Sequence, residues 1–219
     1  MVKIKEIFSS IQGEGPLVGY KQLFIRFCGC NLSCNYCDTD FDYSNAKDYS
    51  VEELLKIIEE NSDCHSVSLT GGEPLLQTTF LKVLLPKIKL PVYLETNGTL
   101  FNELLDIKKY LSYIATDIKL PSCTNLQPLW DEHYKFLQNT IGVQTYIKVV
   151  FDENITHNEI DIICNYAKEF DLELVLQPKM FGNELLIKPD FFENKLNECL
   201  MKYNKVRLIP QVHKFINVI

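Results

Sequence analysis

Apolar, β-branched runs alternate with amphipathic helical runs along nearly the whole chain. The strand-like runs lie at residues 22–28, 65–70, 92–96, 114–119, 145–151, 172–177 and 205–209. Helical patterns fall between them, starting at Ser50 and near residues 77–89, 101–112, 128–139, 156–169 and 189–203. This alternation favours an α/β fold with a mainly parallel sheet covered by helices. About six βα units are too few for a closed eightfold barrel. We therefore predict an incomplete, open (β/α)6 TIM-like barrel, preceded by a strand at Lys3 to Phe8.

Two of the helical patterns carry complete start signals. Ser50 is followed by Glu53, and Thr156 is followed by Glu159. In this capping-box pattern the hydroxyl and the carboxylate each accept a hydrogen bond from the other residue's backbone. We predict that helices begin directly after Ser50 and Thr156.

Composition and charge limit the functional class. The chain has 219 residues, is 46% hydrophobic and carries a formal net charge of -7. These values predict a single domain, residues 1–219, with a sizeable core. No basic run stands out, so no nucleic-acid partner is expected. The N-terminus has no apolar signal region and no apolar stretch is long enough for a membrane span, so we expect a cytoplasmic protein.

Eight cysteines are present, and in a reducing compartment they serve as metal ligands or core residues rather than as disulfides. Four are scattered singly and are expected to be small core hydrophobes: Cys64, Cys123, Cys164 and Cys199. Cys30, Cys34 and Cys37 instead form a C-x3-C-x2-C array. Four thiolates would close a zinc site or ligate every iron of a four-iron cluster, whereas three leave one iron open to chemistry. From spacing alone, Cys28 could take the place of Cys30.

Chemically active residue types gather where the predicted strands end. The cysteines follow the first barrel strand, Gly71-Gly72-Glu73-Pro74 the second and Asn97-Gly98 the third, while Asp117 and Lys119 end the fourth and Gln177-Pro178-Lys179 ends the sixth. In folds of this type, ligands bind at the carboxyl ends of the strands. We therefore predict one site that unites these segments.

The runs CNLSCNYC (30–37) and TGGEP (70–74) together resemble the motifs of radical S-adenosylmethionine (SAM) enzymes. The resemblance implies a [4Fe–4S] cluster held by Cys30, Cys34 and Cys37, with SAM on the remaining iron. It also implies SAM contacts from Gly71, Gly72, Glu73, Asn97 and Tyr36, with Tyr36 at the adenine and Asn97 at the ribose. Tyr36 could instead only shield the cluster, and Asn97 could be an ordinary Asn-Gly turn.

Further segments are similar to the 7-carboxy-7-deazaguanine synthase family of these enzymes: SIQGEG (10–15), TGGEPLLQ (70–77), LETNGT (94–99), LQPK (176–179) and PQVHK (210–214). The resemblance implies conversion of 6-carboxy-5,6,7,8-tetrahydropterin to 7-carboxy-7-deazaguanine by radical ring contraction with loss of ammonia, a lyase reaction in queuosine and deazapurine biosynthesis. It assigns an N-terminal substrate-binding extension to residues 1–21 and a closing segment to residues 205–219.

The same resemblance suggests roles for individual side chains. Gln12 and Glu14 would bind the pterin ring, Arg26 would pair with the substrate carboxylate, and His213 would reach the substrate from the C-terminal segment. Thr39 would help to coordinate a Mg2+ ion, which prefers oxygen ligands. Each has a simpler alternative: a glycine turn at QGEG, a surface arginine, a core or surface histidine, and a loop cap at Thr39.

The chain departs from the family pattern at Asp117-Ile118-Lys119, where a Ser-Pro-Lys-like segment is common, so we assign no SAM contacts to that strand. The resemblance also implies a flavodoxin or ferredoxin as reductant and a homodimer. Two other functions are compatible with the cysteines. One is an activase of glycyl-radical enzymes, which would lack QGEG and QVHK; the other is a zinc-binding module built from Cys28 and the triplet.

Overall fold

The protein is described by a computed structural model that covers residues 1–37, 42–180, 182–185 and 187–218. Its strands are β1 Val2–Ile11, β2 Lys21–Phe27, β3 Lys47–Tyr49, β4 Ser66–Gly71, β5 Val92–Thr96, β6 Tyr113–Asp117, β7 Gln144–Phe151, β8 Glu173–Pro178 and β9 Val206–Leu208. Its helices are α1 Val51–Glu60, α2 Thr78–Leu84, α3 Phe101–Ile107, α4 Pro121–Thr124, α5 Trp130–Thr140, α6 His157–Glu169, α7 Pro189–Leu200 and α8 Val212–Phe215.

All these strands belong to one sheet with the order β3-β1-β2-β4-β5-β6-β7-β8-β9. Pairing is parallel from β2 through β9, whereas β1 runs antiparallel to both β2 and β3. Within the described residues β3 and β9 are the two edges, so the sheet curves without closing into a barrel. The predicted open, mainly parallel (β/α)6 architecture is confirmed.

The two faces of the central strands differ in chemistry because side chains alternate along a strand. One face carries apolar residues that pack under the helices, including Leu94, Ile114, Ile147 and Leu174, each 0% exposed. The opposite face carries a small apolar cluster built on Tyr93, Ala115, Tyr146 and Val175. Beyond that cluster, toward the carboxyl ends of the strands, this face becomes polar. The helix-covered face therefore supplies stability and the other face is available for ligands.

Several element boundaries differ from the sequence-based prediction. The N-terminal strand, predicted at Lys3 to Phe8, runs over Val2–Ile11, and its first residues pair with a short strand, Lys47–Tyr49, that polar composition gave no sign of. The helix predicted at 77–89 ends at Leu84, two residues before Pro86, because proline cannot donate an intrahelical hydrogen bond. Over the described ranges, no helix combines the length and apolar character needed to cross a membrane.

Candidate active site

A cavity of about 390 Å³ lies at the carboxyl ends of the parallel strands. Most residues that the sequence singled out line it: Gln12, Glu14, Arg26, Cys30, Cys34, Tyr36, Cys37, Gly71, Gly72, Asn97 and His213. They come from segments spread over the whole chain. This geometry agrees with the prediction that the motifs at the strand ends form one site.

Backbone hydrogen bonds hold the cysteine loop against the TGGEP segment. The N–H of Gly72 donates to Phe27 O (3.0 Å), and the N–H of Glu73 donates to Gly29 O (2.8 Å). Gly71 has a φ of +108°, and a Cβ there would lie 2.5 Å from the backbone nitrogen and oxygen of Phe27. Glycine is required at Gly71 because the end of β4 runs directly against the neighbouring backbone. The cysteine loop and the TGGEP segment are therefore held next to each other by their backbones.

The structure separates Cys28 from the triplet. Cys28 is 0% exposed in the core, whereas Cys30, Cys34 and Cys37 line the cavity. Burial raises the pKa of the Cys30 and Cys34 thiols. Among the described residues, Cys30, Cys34 and Cys37 are therefore the cysteines placed to reach a group bound in the cavity.

Glu73 is fully buried and, unlike Gly71 and Gly72, does not line the cavity. It accepts hydrogen bonds from the N–H of Leu75 (3.0 Å), from Thr96 Oγ1 (2.9 Å) and from the N–H of Asn97 (2.8 Å). Burial nevertheless raises the pKa of Glu73 to about 7, against the lowering effect of these donors. In this arrangement Glu73 fixes the end of β5 beside the cysteine loop.

Asn97 stands between the end of β5 and the cysteine loop. Its Nδ2 donates to Asn31 Oδ1 (2.8 Å) and approaches Cys30 Sγ at 3.9 Å. Its Oδ1 accepts from Thr99, from the N–H at 3.1 Å and from the hydroxyl at 2.6 Å. The side chain is thus locked in place at the cavity wall.

Tyr36 and the end of β6 form a charged corner next to the cysteines. Lys119 Nζ donates to Tyr36 OH (3.3 Å) and bridges Asp117 Oδ2 (3.0 Å). Burial works to raise the pKa of Asp117, but the ammonium groups of Lys119 and Lys148 hold it below its ordinary value. The end of β6 thus brings the ionised Asp117 and Lys119 to the cavity, and Lys148 on β7 lines it beside them.

Gln12 and Glu95 form a hydrogen-bonded pair at the floor of the cavity. Gln12 Nε2 donates to Glu95 Oε1 and to Gln22 Oε1, both at 2.9 Å, and Gln12 Oε1 accepts from the N–H of Glu14 (2.9 Å). Thr70 Oγ1 donates to the other oxygen of Glu95 (3.1 Å). Burial raises the pKa of Glu95. The sequence prediction included Gln12 but missed Glu95, although Glu95 lies in the LETNGT run (94–99).

Glu14 is clamped from two directions. Lys148 Nζ donates to its Oε2 (2.6 Å) and Gln211 Nε2 donates to its Oε1 (2.8 Å). Burial works to raise the pKa of Glu14, but Lys148, Gln211 and His213 bring it down to about 2. Glu14 is therefore an anion near neutral pH, and each of its oxygens keeps a further lone pair for a ligand.

Arg26 lies on β2 at the rim of the cavity. Its Nη1 bridges Glu6 Oε2 at 2.7 Å, and its guanidinium stacks 4.8 Å from the centre of the Phe8 ring. Phe8 in turn stacks on Phe24 at 5.2 Å. A guanidinium has five N–H donors, so the bond to Glu6 leaves others directed elsewhere.

The C-terminal segment closes one side of the cavity. The N–H of Val212 donates to Gly13 O (2.9 Å). A Cβ at Gly13 would lie 2.2 Å from Nδ1 of His213, so the histidine packs directly on the glycine. The predicted site residue Thr39 lies outside the described residues.

Two acceptors on this site lack partners. Among the residues described, Asp117 Oδ1 and Gln177 Oε1 are buried with no hydrogen-bond donor, and both residues line the cavity. Native proteins rarely leave such atoms unpaired. They indicate a ligand that brings hydrogen-bond donors.

Comparisons with known proteins show the family to which the chain belongs. Residues 24–149 match the model of the radical SAM superfamily. A protein of Geobacter sulfurreducens named 7-carboxy-7-deazaguanine synthase is 37% identical to the chain, over 97% of the chain and 96% of the relative. The chain belongs to the 7-carboxy-7-deazaguanine synthase family. A relative with the same name from Archaeoglobus fulgidus is 35% identical over 97% of both proteins.

The family fold also matches a solved structure. The chain superposes on the crystal structure of QueE from Escherichia coli with a TM-score of 0.67, over 97% of the chain and 94% of that protein, at 20% identity. A radical SAM methyltransferase from Sphaerobacter thermophilus gives a TM-score of 0.60 at 9% identity. These likenesses confirm the open barrel of the radical SAM type.

Proposed function

We propose that this member of the family converts 6-carboxy-5,6,7,8-tetrahydropterin to 7-carboxy-7-deazaguanine. Hydrogen is abstracted from C6 of the substrate, the ring contracts and ammonia is lost. The observation that carries the proposal is that one cavity holds both the cysteine triplet and a set of buried polar side chains suited to a pterin.

The residues present fit a [4Fe–4S] cluster and SAM. Cys30, Cys34 and Cys37 would hold three irons, and Gly71 and Gly72 offer backbone close to the cysteine loop. When bound and reduced, the cluster supplies the electron that cleaves SAM to the radical that starts the reaction. Tyr36 and Asn97 would contact SAM, and the buried Glu73 would contribute mainly by holding Asn97.

Gln12, Glu14, Arg26 and His213 would bind the substrate. Glu14 is ionised, so it can accept hydrogen bonds from the N–H groups on the pyrimidine edge of a pterin. Arg26, stacked on Phe8, offers a planar pair of donors to the substrate carboxylate. Both of Gln12's amide hydrogens are already used by protein acceptors, so its contact to the ring would be made through Oε1.

We also expect a magnesium ion, a reductant protein and a homodimer. Thr39 would help to bind Mg2+ near the substrate, a flavodoxin or ferredoxin would supply electrons, and the protein would act as a homodimer with residues 1–219 as one domain. No disulfide joins the eight cysteines, all of which lie in the described residues, and this suits a reducing cytoplasm.

The decisive test is an anaerobic assay of reconstituted protein with dithionite, SAM and the carboxytetrahydropterin, with product detected by mass spectrometry. We expect 7-carboxy-7-deazaguanine without any added partner protein. SAM cleavage with no conversion of the tetrahydropterin would overturn the proposal. It would then favour an activase acting on a protein.

A further inference from the structure

Lys148 lies at the centre of the cavity's charged groups, and none of the roles proposed above uses it. It pairs in register with Asp117 across β6 and β7, so the two side chains point to the same face of the sheet. Its Nζ lies 2.6 Å from Glu14 Oε2 and 3.2 Å from Asp117 Oδ2. One ammonium group thus joins the turn after β1 to the end of β6.

The buried setting makes this ammonium important to Glu14 in particular. Lys148 is 9% exposed, so its charge is poorly screened by water. Asp117 has a second cation, Lys119, at 3.0 Å. Lys148 is the largest of the groups that lower the pKa of Glu14, ahead of Gln211 and His213. The acidic Glu95 acts in the opposite direction, because each carboxylate disfavours ionisation of the other. Loss of Lys148 would therefore be felt mainly at Glu14.

We propose that Lys148 is a positioning residue for the substrate, which holds the Glu14 carboxylate ionised and in place to accept hydrogen bonds from the substrate ring. This inference rests on the proposed function, because it assigns the ring to Glu14. Lys148 acts through Glu14 and need not touch the substrate.

The groups around Glu14 determine the direction in which its pKa would move without Lys148. The charged and titratable groups that face Glu14 are Tyr93 and Glu95 on β5, Asp117 on β6, Tyr146 and Lys148 on β7, and His213 in the C-terminal segment. With Lys148 neutralised, burial and Glu95 would raise the pKa of Glu14 from about 2 toward the working pH. Glu14 would then take up a proton as the pH falls, and substrate binding would weaken at the acid end.

The test compares reconstituted wild-type enzyme with Lys148→Met, which keeps the length of the side chain and removes its charge. Lys202→Met is the matched control, because Lys202 pairs with Asp161 on the surface, away from the cavity. We expect Lys148→Met to raise the KM for the carboxytetrahydropterin about tenfold at pH 7, the effect of one weakened charge-assisted hydrogen bond. The ratio of variant to wild-type kcat/KM should fall further from pH 8 to pH 6, whereas Lys202→Met should keep a constant ratio.

Glu14→Gln keeps the inference testable should Lys148→Met fail to fold. This variant should raise KM to a similar degree with a ratio that does not depend on pH, and adding Glu14→Gln to Lys148→Met should abolish the pH dependence. A wild-type KM in Glu14→Gln, or a pH-independent ratio in Lys148→Met, would overturn the role of Lys148. Wild-type enzyme that converts no tetrahydropterin would instead overturn the proposed function itself.

Discussion

At the scale of single residues, the alternation of side chains in the sheet explains how one sequence builds both a core and a polar cavity. Glu95, Asp117, Lys148 and Gln177 each sit in an apolar strand, yet all four line the cavity. Their immediate neighbours, such as Leu94 and Ile147, are buried on the helix side. A buried charge is tolerated only where it is paired. The Glu14–Lys148–Asp117–Lys119 chain provides that pairing.

The ligand assignment at the cysteine loop gives a first prediction. Cys30→Ser should abolish the [4Fe–4S] centre, because it removes a thiolate from the cavity wall, whereas Cys28→Ser should leave it intact, because Cys28 lies in the core. Both variants are checked under anaerobic conditions by their iron and sulfide content and by the visible absorption of the thiolate-to-iron charge-transfer bands. Loss of the centre in Cys28→Ser, with Cys30→Ser unaffected, would reverse the assignment.

His133 gives a prediction about pH. It is 0% exposed; Nδ1 lies 3.2 Å from Gly98 O and Nε2 accepts from the N–H of Lys119 (3.2 Å). Burial lowers its pKa to about 4 from an ordinary value of 6.5. Between these two pKa values the imidazole is protonated in the unfolded chain but neutral in the folded protein. Stability is therefore lost as the pH falls below about 6.5. From pH 7.5 to pH 5 this loss is roughly 2 kcal/mol.

Urea denaturation of wild type and His133→Gln at several pH values measures this loss of stability. The wild type should lose roughly 2 kcal/mol more than the variant between pH 7.5 and pH 5. Parallel curves for wild type and His133→Gln would mean that the buried imidazole does not control acid stability.

How far the sequence predicts this site depends on whether a residue belongs to a motif. Gln12, Glu14 and the cysteines stand in recognisable runs, and the structure brings them to one cavity. Lys148 and His133 do not, because each is one polar residue in an otherwise ordinary strand or helix. Their importance follows from neighbours on other elements, which a linear pattern does not contain.

At the scale of elements, local signals predicted well where the local chemistry decides the structure. Both capping boxes form as predicted, at Ser50 with Glu53 and at Thr156 with Glu159. They differ in setting, since Glu159 is 5% exposed and its Oε1 also accepts from the N–H of Ser122 (2.9 Å). By contrast, β3 exists only through its pairing with β1, so composition could not reveal it.

The two boxes should therefore respond differently to the same substitution. Glu159→Ala should lower the free energy of unfolding by about 2 kcal/mol, because it removes a cap and leaves the partly buried Ser122 N–H without an acceptor. Glu53→Ala, at the solvent-exposed box, should have a clearly smaller effect. Chemical denaturation of both variants checks this order, and equal losses would contradict it.

At the scale of the whole molecule, the two ends of the chain meet over the cavity. The turn after β1 supplies Gln12 and Glu14, and the segment after β9 supplies Gln211 and His213. The Gln211 to Glu14 bond (2.8 Å) joins residues almost at opposite ends of the sequence. Motifs predicted that each segment serves the substrate, but their direct contact depends on the curvature of the sheet, which brings β9 back toward β1.

This contact makes the last prediction. A chain truncated after Pro210 should still assemble the cluster, because the cluster's ligands lie in the cysteine loop. It should lose conversion of the tetrahydropterin by at least about 100-fold, because it lacks Gln211 and His213.

Gly13→Ala tests the same closure with the full chain, since its Cβ would displace His213, 2.2 Å away. It should raise KM for the substrate, whereas Gly142→Ala, where a Cβ meets nothing within 4 Å, should not. Iron content and product formation, measured side by side, check the outcome. Wild-type KM in Gly13→Ala together with an active truncated chain would show that the C-terminal segment only covers the fold.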